Sequence, residues 1–394
     1  TTTMSLIDDI TLDENTRREY FPVVGERIYM AHAGVCVLPK VAGDAIRSFA
    51  TASELDNQES DAHTAIAEDA RTLAAELIGA QALEITLLGP TSVGISLVAN
   101  GLDWQEGDEV ISYNDDYPAN VYAWTQLSSR GVKHVPLKPE HTGVIDWDLV
   151  EAAITPKTRL VALASCHFLT GYRIDIDTIG RNLRERGILF CVDGIQTIGA
   201  FRTSVEHVDF LSADSHKWML GPAAAGIFYV RKSLQKELKP SLLGAWNVIS
   251  PDFVAQEDIR FYVGGRRYEP GMLNLPGIVG MHASMKLLLD IGVDAISARL
   301  LELRQTILDQ LLPLGYTLYN EELEQSSDPD AAWKSSIVTL SHPKKDLASL
   351  YQALKEEKIV LSYRKNRAGK NFLRLSPHFY NTVEEIERVA KSMR

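Results

Sequence analysis

Short apolar, β-rich runs alternate with helix-period stretches through the middle of the chain. Ile85–Leu88, Glu109–Ser112, Leu160–Ala164, Leu189–Val192 and Gly226–Val230 read as buried strands bounded by turn signals. Between them, Gly94–Leu102, Asn120–Ser129 and Ile176–Arg186 carry helical patterns. Alternation at this spacing predicts a mainly parallel sheet covered on both faces. Such a sheet binds ligands beyond the carboxyl ends of its strands. From about Pro276 the texture changes. Ile278–Leu289, stopped at Ile291–Gly292, and Ala295–Leu312 predict two long helices. Strands at Ser336–Leu340 and Phe372–Leu375 and helices at Leu347–Glu356 and Val383–Met393 complete a smaller α+β unit. The acidic, Ser-rich stretch Glu321–Asp330 reads as an exposed loop. No internal repeat and no low-complexity tract is visible.

Composition narrows the class. With 394 residues, 45% apolar and 23% charged, the chain can bury a large core without staples. Forty basic against 52 acidic residues give a formal charge of −12, which argues against nucleic-acid binding. Cys36, Cys166 and Cys191 make neither a disulfide framework nor a paired zinc spacing, so we expect no metal and a reducing compartment. No basic-then-apolar leader opens the sequence, and Thr1–Thr3 read as a remnant ahead of Met4. No apolar run approaches the roughly 20 residues needed to span a bilayer. The expectation is a soluble, cytoplasmic protein without membrane or nucleic-acid partners.

The chemistry concentrates in two strings. In Ser212-Ala213-Asp214-Ser215-His216-Lys217-Trp218, the lysine lies between a polar turn and Gly221-Pro222, next to Trp218, Met219 and Leu220. Burial there frees an amine nucleophile able to form a Schiff base with a carbonyl. The alternative is a snorkelling surface lysine. In Ile188–Gln196, Asp193 stands at the carboxyl end of a buried strand and needs a cation or strong donor. A pyridinium nitrogen is such a partner, and a helix cap is the alternative.

Together the Asp193-x-x-Gln196 and Ser215-His216-Lys217-Trp218 strings resemble pyridoxal-phosphate enzymes of fold type I, in the class V aminotransferase group. Arg374-Leu375-Ser376-Pro377-His378-Phe379-Tyr380-Asn381-Thr382 extends the likeness, which runs from Ile28 to the C-terminus. That group holds cysteine desulfurases, selenocysteine and cystine lyases, kynureninases and isopenicillin N epimerase-like proteins. The resemblance implies an α/β fold with a mainly parallel, seven-stranded-type sheet in a large domain, residues 25–287. A smaller α+β domain covers 288–394, and residues 1–24 pack with it. It also implies a homodimer with active sites at the subunit interface, acting on a small amino-acid substrate.

Residue by residue, the resemblance assigns pyridoxal 5′-phosphate to Lys217, which holds it covalently and shuttles the proton. Asp193 keeps the ring nitrogen protonated, and Gln196 donates to the phenolic oxygen. Thr91 and Ser92, at a helix N-terminus, and His216 take the phosphate; for Thr91 and Ser92 a plain helix cap is the alternative. Asp214, where relatives often carry Ser, is left outside the site. Tyr117, where relatives often carry His, stacks on the ring or is a turn aromatic. His167 falls at a catalytic position beside ring and substrate or is a satisfied core histidine. Arg374 binds the substrate α-carboxylate, and His32 contacts the substrate.

Two departures matter. The loop Leu361–Asn371 holds no cysteine, so a persulfide-forming desulfurase is not expected. It carries Arg364, Lys365, Arg367 and Lys370 instead, which read either as a solvated basic loop or as a site for a second anionic group. Met272 stands where relatives place Thr or Ser toward the partner's phosphate, which leaves Gly264, Gly265, Arg266 and Arg267 as substitutes. The expected reaction is β-elimination, of the C–S type, on a cysteine-like amino acid. Transamination, epimerisation, kynureninase-like hydrolysis, decarboxylation and a non-catalytic cofactor-binding scaffold are the alternatives.

Overall fold

The computed structural model describes residues 3–325 and 332–394. Thr1 and Thr2 of the expected remnant, and 326–330 of the expected acidic loop, lie outside the described residues. The chain opens with α1 (Leu6–Leu12) and α2 (Glu14–Tyr20), then β1 (Ile28–Tyr29), α3 (Lys40–Ser53) and α4 (Asp61–Ile78). The large domain follows with β2 (Ile85–Leu87), α5 (Thr91–Gly101), β3 (Glu109–Ser112), α6 (Ala119–Thr125), β4 (Lys133–Pro136), α7 (Trp147–Ala153) and β5 (Thr158–Ala164). It continues through α8 (Ile176–Glu185), β6 (Leu189–Asp193), β7 (Phe210–Asp214), β8 (Gly226–Val230) and α9 (Leu275–Ile291).

The seven strands lie in the order β2-β8-β7-β6-β5-β3-β4, and β8 alone runs against the rest. This is the mainly parallel α/β sheet that the alternation predicts. Two of its strands were not anticipated. In β4 the run Lys133-His134-Val135-Pro136 is polar and ends in proline, which suits an edge strand but carries no apolar signal. In β7 the sequence predicts a turn at Ser212, yet Ser212 and Asp214 are fully buried strand residues. Ser212 Oγ donates to Thr91 O (2.8 Å), so the polar side chain is satisfied by α5 and not by water. Gly94 permits this contact, because a Cβ there would stand 2.3 Å from Ser212 Oγ.

Asn274 caps α9 through Oδ1, which accepts from the Gly277 N–H (3.1 Å), and Gly292 ends the helix at φ 95°. The expected boundary at 287/288 lies within this helix, which runs on to Gly292. Beyond it, α10 (Val293–Leu311) leads to β9 (Thr317–Leu318), β10 (Val338–Ser341), α11 (Leu347–Glu356), β11 (Ile359–Val360), β12 (Ser362–Lys365), β13 (Asn371–Leu375) and α12 (Val383–Ser392). The small sheet runs β12-β13-β10-β9. The basic loop read at Leu361–Asn371 is in fact largely the β12–β13 hairpin.

The first residues bind both domains together. Arg17 donates to Tyr380 O (3.1 Å) and pairs with Glu385 (3.2 Å) near the C-terminus. Phe21 stacks on Tyr380 with ring centroids 3.9 Å apart. Ile10 and Phe21 also join the large-domain core, so the segment is a clasp between domains. β1 then pairs with β11 in parallel, and Ala31 bridges to Ser376.

Candidate active site

A cavity of about 490 Å³ opens beyond the carboxyl ends of the sheet strands. The segments after β3, β5, β6 and β7 build it with the start of α5, joined by Gly34, Val35 and Arg364, as the topology of such sheets requires. Thr91 and Ser92 enter from the N-terminus of α5, with His216 beside them. Asp116, Asn120 and Asp193 form the acidic side. Tyr117, Gln196 and Lys217 complete the set.

The Lys217 amine donates to the carbonyl oxygen of Ala33 (2.8 Å) and lies 5.7 Å from the centre of the Tyr117 ring. Burial lowers its pKa to about 8, with the nearby positive charge of Arg374 adding to the effect and Asp193 opposing it. Gln196 Nε2 donates to the same Ala33 oxygen (3.1 Å), while its Oε1 accepts from Trp218 Nε1 (2.8 Å). Tyr117 is 50% exposed at the mouth and packs edge-on against Phe168.

Asp193 is a buried carboxylate without a cation in contact. Its oxygens accept from Asn120 Nδ2 (2.9 Å) and the Ile195 N–H (3.0 Å), and burial raises its pKa. Asp116 is equally buried and is pushed up to about 7 by desolvation, with the Asp193 charge second. Neither Asp116 nor Asn120 was singled out in the sequence. Their only signal was position, Asp116 in the turn after β3 and Asn120 at the start of α6.

Asp214, left outside the site by sequence reasoning, is tied to it through His216. One carboxylate oxygen contacts His216 Nδ1 and accepts from the Ala224 N–H (2.9 Å). The other is buried without a partner. A carboxylate on Nδ1 leaves Nε2 as the ring's outward nitrogen. Thr91 Oγ1 accepts from the Asp214 N–H (2.8 Å), which fixes the start of α5 against β7.

Two expected site residues require correction. His167 does not line the cavity: Nε2 donates to Asp115 O (2.8 Å), and Nδ1 accepts from the Thr170 N–H (3.1 Å). Burial lowers its pKa to about 4, so it is a neutral ring that holds loops, not a proton carrier. His32 is fully buried between Ser376 O (2.9 Å) and the Tyr380 hydroxyl (2.8 Å), with a pKa lowered to about 3 by burial. It pins the N-terminal segment and has no free nitrogen for a substrate.

Arg374 is 1% exposed, one layer behind the cavity wall. Its Nη1 donates to Phe168 O (2.7 Å), its Nη2 reaches Ser362 Oγ at 3.4 Å, and its Nε has no partner. Burial and the neighbouring Arg364 lower its pKa to about 9. Gly34 lines the cavity in front of it, and a Cβ there would stand 3.6 Å from Nη2, an ordinary van der Waals contact. Met272 is 68% exposed on the surface, and Arg266 stacks on Trp246 and Tyr262 of its own chain.

This fold and this lysine–aspartate pair define a pyridoxal-phosphate enzyme of fold type I. The aminotransferase class-V family profile matches residues 28–389, and the chain belongs to that family. It is 28% identical over 342 residues to a probable cysteine desulfurase of Methanothermobacter thermautotrophicus, covering 83% of this chain and 82% of that one. An uncharacterised aminotransferase of Bacillus subtilis is 27% identical over 321 residues, 81% of this chain and 80% of the other. Among solved structures, a cysteine desulfurase from Thermococcus onnurineus superposes with a TM-score of 0.87 at 22% identity, covering 100% and 98% of the two chains. A cystine C–S lyase in complex with cysteine persulfide gives 0.83 at 22% identity, over 94% and 98%.

Pyridoxal phosphate is the cofactor of this family, and the residues present fit it. A buried carboxylate lacking a cation suits a protonated ring nitrogen. Hydroxyls at the start of an 11-residue helix, next to a histidine polarised by Asp214, suit a phosphate. A desolvated amine suits the aldehyde carbon.

Proposed function

We propose that the protein removes the α-proton of a cysteine-like amino acid and carries out a C–S type β-elimination. The observation that supports this best is the Lys217 amine, buried beside Tyr117 and Asp193 with its pKa lowered to about 8. When bound, pyridoxal phosphate supplies an electron sink for the carbanion at Cα. Asp193 keeps the ring nitrogen protonated, and Gln196 offers an N–H to the phenolic oxygen. Thr91, Ser92 and His216 hold the phosphate, and Tyr117 covers one ring face. Arg374 takes the α-carboxylate. Lys217, with its pKa lowered to about 8, takes the Cα proton and passes it to the departing sulfur.

A persulfide-forming desulfurase fits less well, although relatives carry that name. The β12–β13 hairpin holds no thiol, and burial raises Cys36 and Cys166 to about 12. Transamination is the second reading, favoured by the same missing thiol and by the Bacillus relative. Epimerisation, hydrolysis of a γ-keto substrate and decarboxylation use the same binding groups and rank lower. A homodimer belongs to the proposal, supported by the exposed apolar side chains Phe253, Ile259, Val263 and Met272. So does a cytoplasmic location, which three free cysteines suit. Among the described residues no helix is long and apolar enough to cross a membrane.

The test is the cofactor's visible absorption during incubation with a panel of amino acids, with pyruvate assayed alongside. The lyase predicts pyruvate and an absorption band that returns as substrate is consumed. A band that returns only after a keto acid is added indicates the aminotransferase. No pyruvate and no spectral change with any amino acid removes the proposal.

A further inference from the structure

Arg364 and Arg374 are neighbours on one face of the β12–β13 hairpin. Ser362 pairs with Arg374 and Arg364 pairs with Phe372 across the antiparallel register. Side chains two apart in a strand share a face, so Ser362, Arg364 and Arg374 all point the same way. Diagonal neighbours on such a face stand about 7–8 Å apart. Arg364 lines the cavity itself, in front of the buried Arg374.

Among the described residues neither arginine has a carboxylate partner. Arg374 gives two of its nitrogens to neutral oxygens and leaves Nε unbonded, although it is almost wholly buried. The Arg364 side chain, unlike its backbone in the ladder beside Phe372, has no hydrogen-bond partner among the described residues. Arg367, three residues on, contrasts with both: it pairs with Asp115 (3.2 Å) and donates to Asn114 O (2.6 Å). The acidic residues of the cavity are engaged elsewhere, Asp193 with Asn120 and Asp116 with the Tyr117 N–H (2.7 Å). One α-carboxylate offsets one guanidinium and leaves the other uncompensated next to the Lys217 amine.

We propose that Arg364 and Arg374 act as a pair of anion sites, so that the cavity selects an amino acid with a second acidic group on a short side chain. This rests on the reading of the cavity as an amino-acid site and names its substrate class. Arg374 binds the α-carboxylate, and Arg364 binds a carboxylate, sulfinate or sulfonate carried one or two carbons beyond Cα. The planar fork of Arg364 suits any of the three.

The experiment is calorimetric titration of the protein loaded with pyridoxal phosphate. The probes are succinate, a dianion, and butyrate, a monoanion of similar length. Neither carries an amine, so binding needs no turnover. The expected result is succinate binding at least tenfold tighter than butyrate. R364Q then weakens succinate at least tenfold and leaves butyrate within twofold, and R364K restores part of the loss. 3-Sulfopropionate in place of succinate separates sulfonate from carboxylate recognition. Equal binding of the two acids to the unmodified protein overturns the proposal, and so does an equal loss of both in R364Q. Discrimination without conversion of any amino acid supports the anion pair and removes the proposed reaction. Conversion without discrimination does the opposite.

Discussion

Lys217 and Gln196 donate to one acceptor, the carbonyl oxygen of Ala33, at 2.8 and 3.1 Å. A backbone oxygen from the N-terminal segment therefore sets the positions of the amine and of the amide expected at the phenolic oxygen. The segment is held in turn by His32 and Ser376.

Lys217→Ala removes the proton carrier, and turnover is expected to fall at least 10³-fold, within the span of general acid–base effects. The same variant changes stability in the cofactor-free protein. The folded pKa is about 8 and the unfolded value near 10.4. Between them the unfolded chain binds more protons, so stability rises with pH across that window. In Lys217→Ala this part of the rise is lost, which thermal melts across the window measure.

Asp116 gives the opposite slope. Burial raises its folded pKa to about 7 from an unfolded value near 4. Between those values the folded protein keeps a proton that the unfolded chain has released. Stability of the cofactor-free protein therefore falls as pH rises through the window. Asp116→Asn keeps the shape without the charge, and its melting temperature is expected to be flatter there.

Asp193→Asn keeps one of the two acceptors that Asn120 and the Ile195 N–H use and removes the charge that suits a protonated ring nitrogen. A fall in kcat of about 10²–10³ is expected, the usual cost of deleting one preorganised electrostatic contact. The Asp116 titration is expected to move down in the same variant, since Asp193 is its second cause of elevation. Steady-state kinetics and the pH-stability profile read the two effects separately.

Asp214→Asn loosens His216 without touching the cofactor directly. A charge-assisted hydrogen bond contributes about 1.5–3 kcal/mol, so retention of pyridoxal phosphate is expected to weaken by about 10–100-fold. Spectroscopic titration of cofactor-free protein with pyridoxal phosphate gives the constant. An unchanged constant would show that the aspartate serves β7 alone.

Arg17→Ala breaks a buried pair and strands Glu385, which accepts from Asn381 and the Thr382 N–H as well. A loss of about 3 kcal/mol is expected, near the lower end for removing one partner of a buried ion pair. Urea unfolding measures it as a shift in midpoint at unchanged slope.

The buried strands and long helices were legible because their apolar periods are strong. β5, β6 and β8 are apolar runs, and α11 has the bounds its pattern gives. β4 and β7 escaped because one is a polar edge strand and the other buries Ser212 against α5. The resemblance pointed to Lys217, Asp193 and Gln196, which the fold gathers in one cavity. The Ala33 carbonyl left no trace, since any residue type carries one. His167 and His32 misled because sequence gives a histidine's neighbourhood but not its hydrogen-bond partners. Arg364 was visible as a charge; only the hairpin register puts it next to Arg374.

The pairing of Ile28 with Ile359 joins residues at nearly opposite ends of the chain. During synthesis the large sheet can assemble as it leaves the ribosome, but the oxygen that seats Lys217 must wait for a frame made last. Ser376 and Tyr380 supply that frame. Seating of the lysine therefore depends on the last strand and the residues after it, not on the large sheet alone.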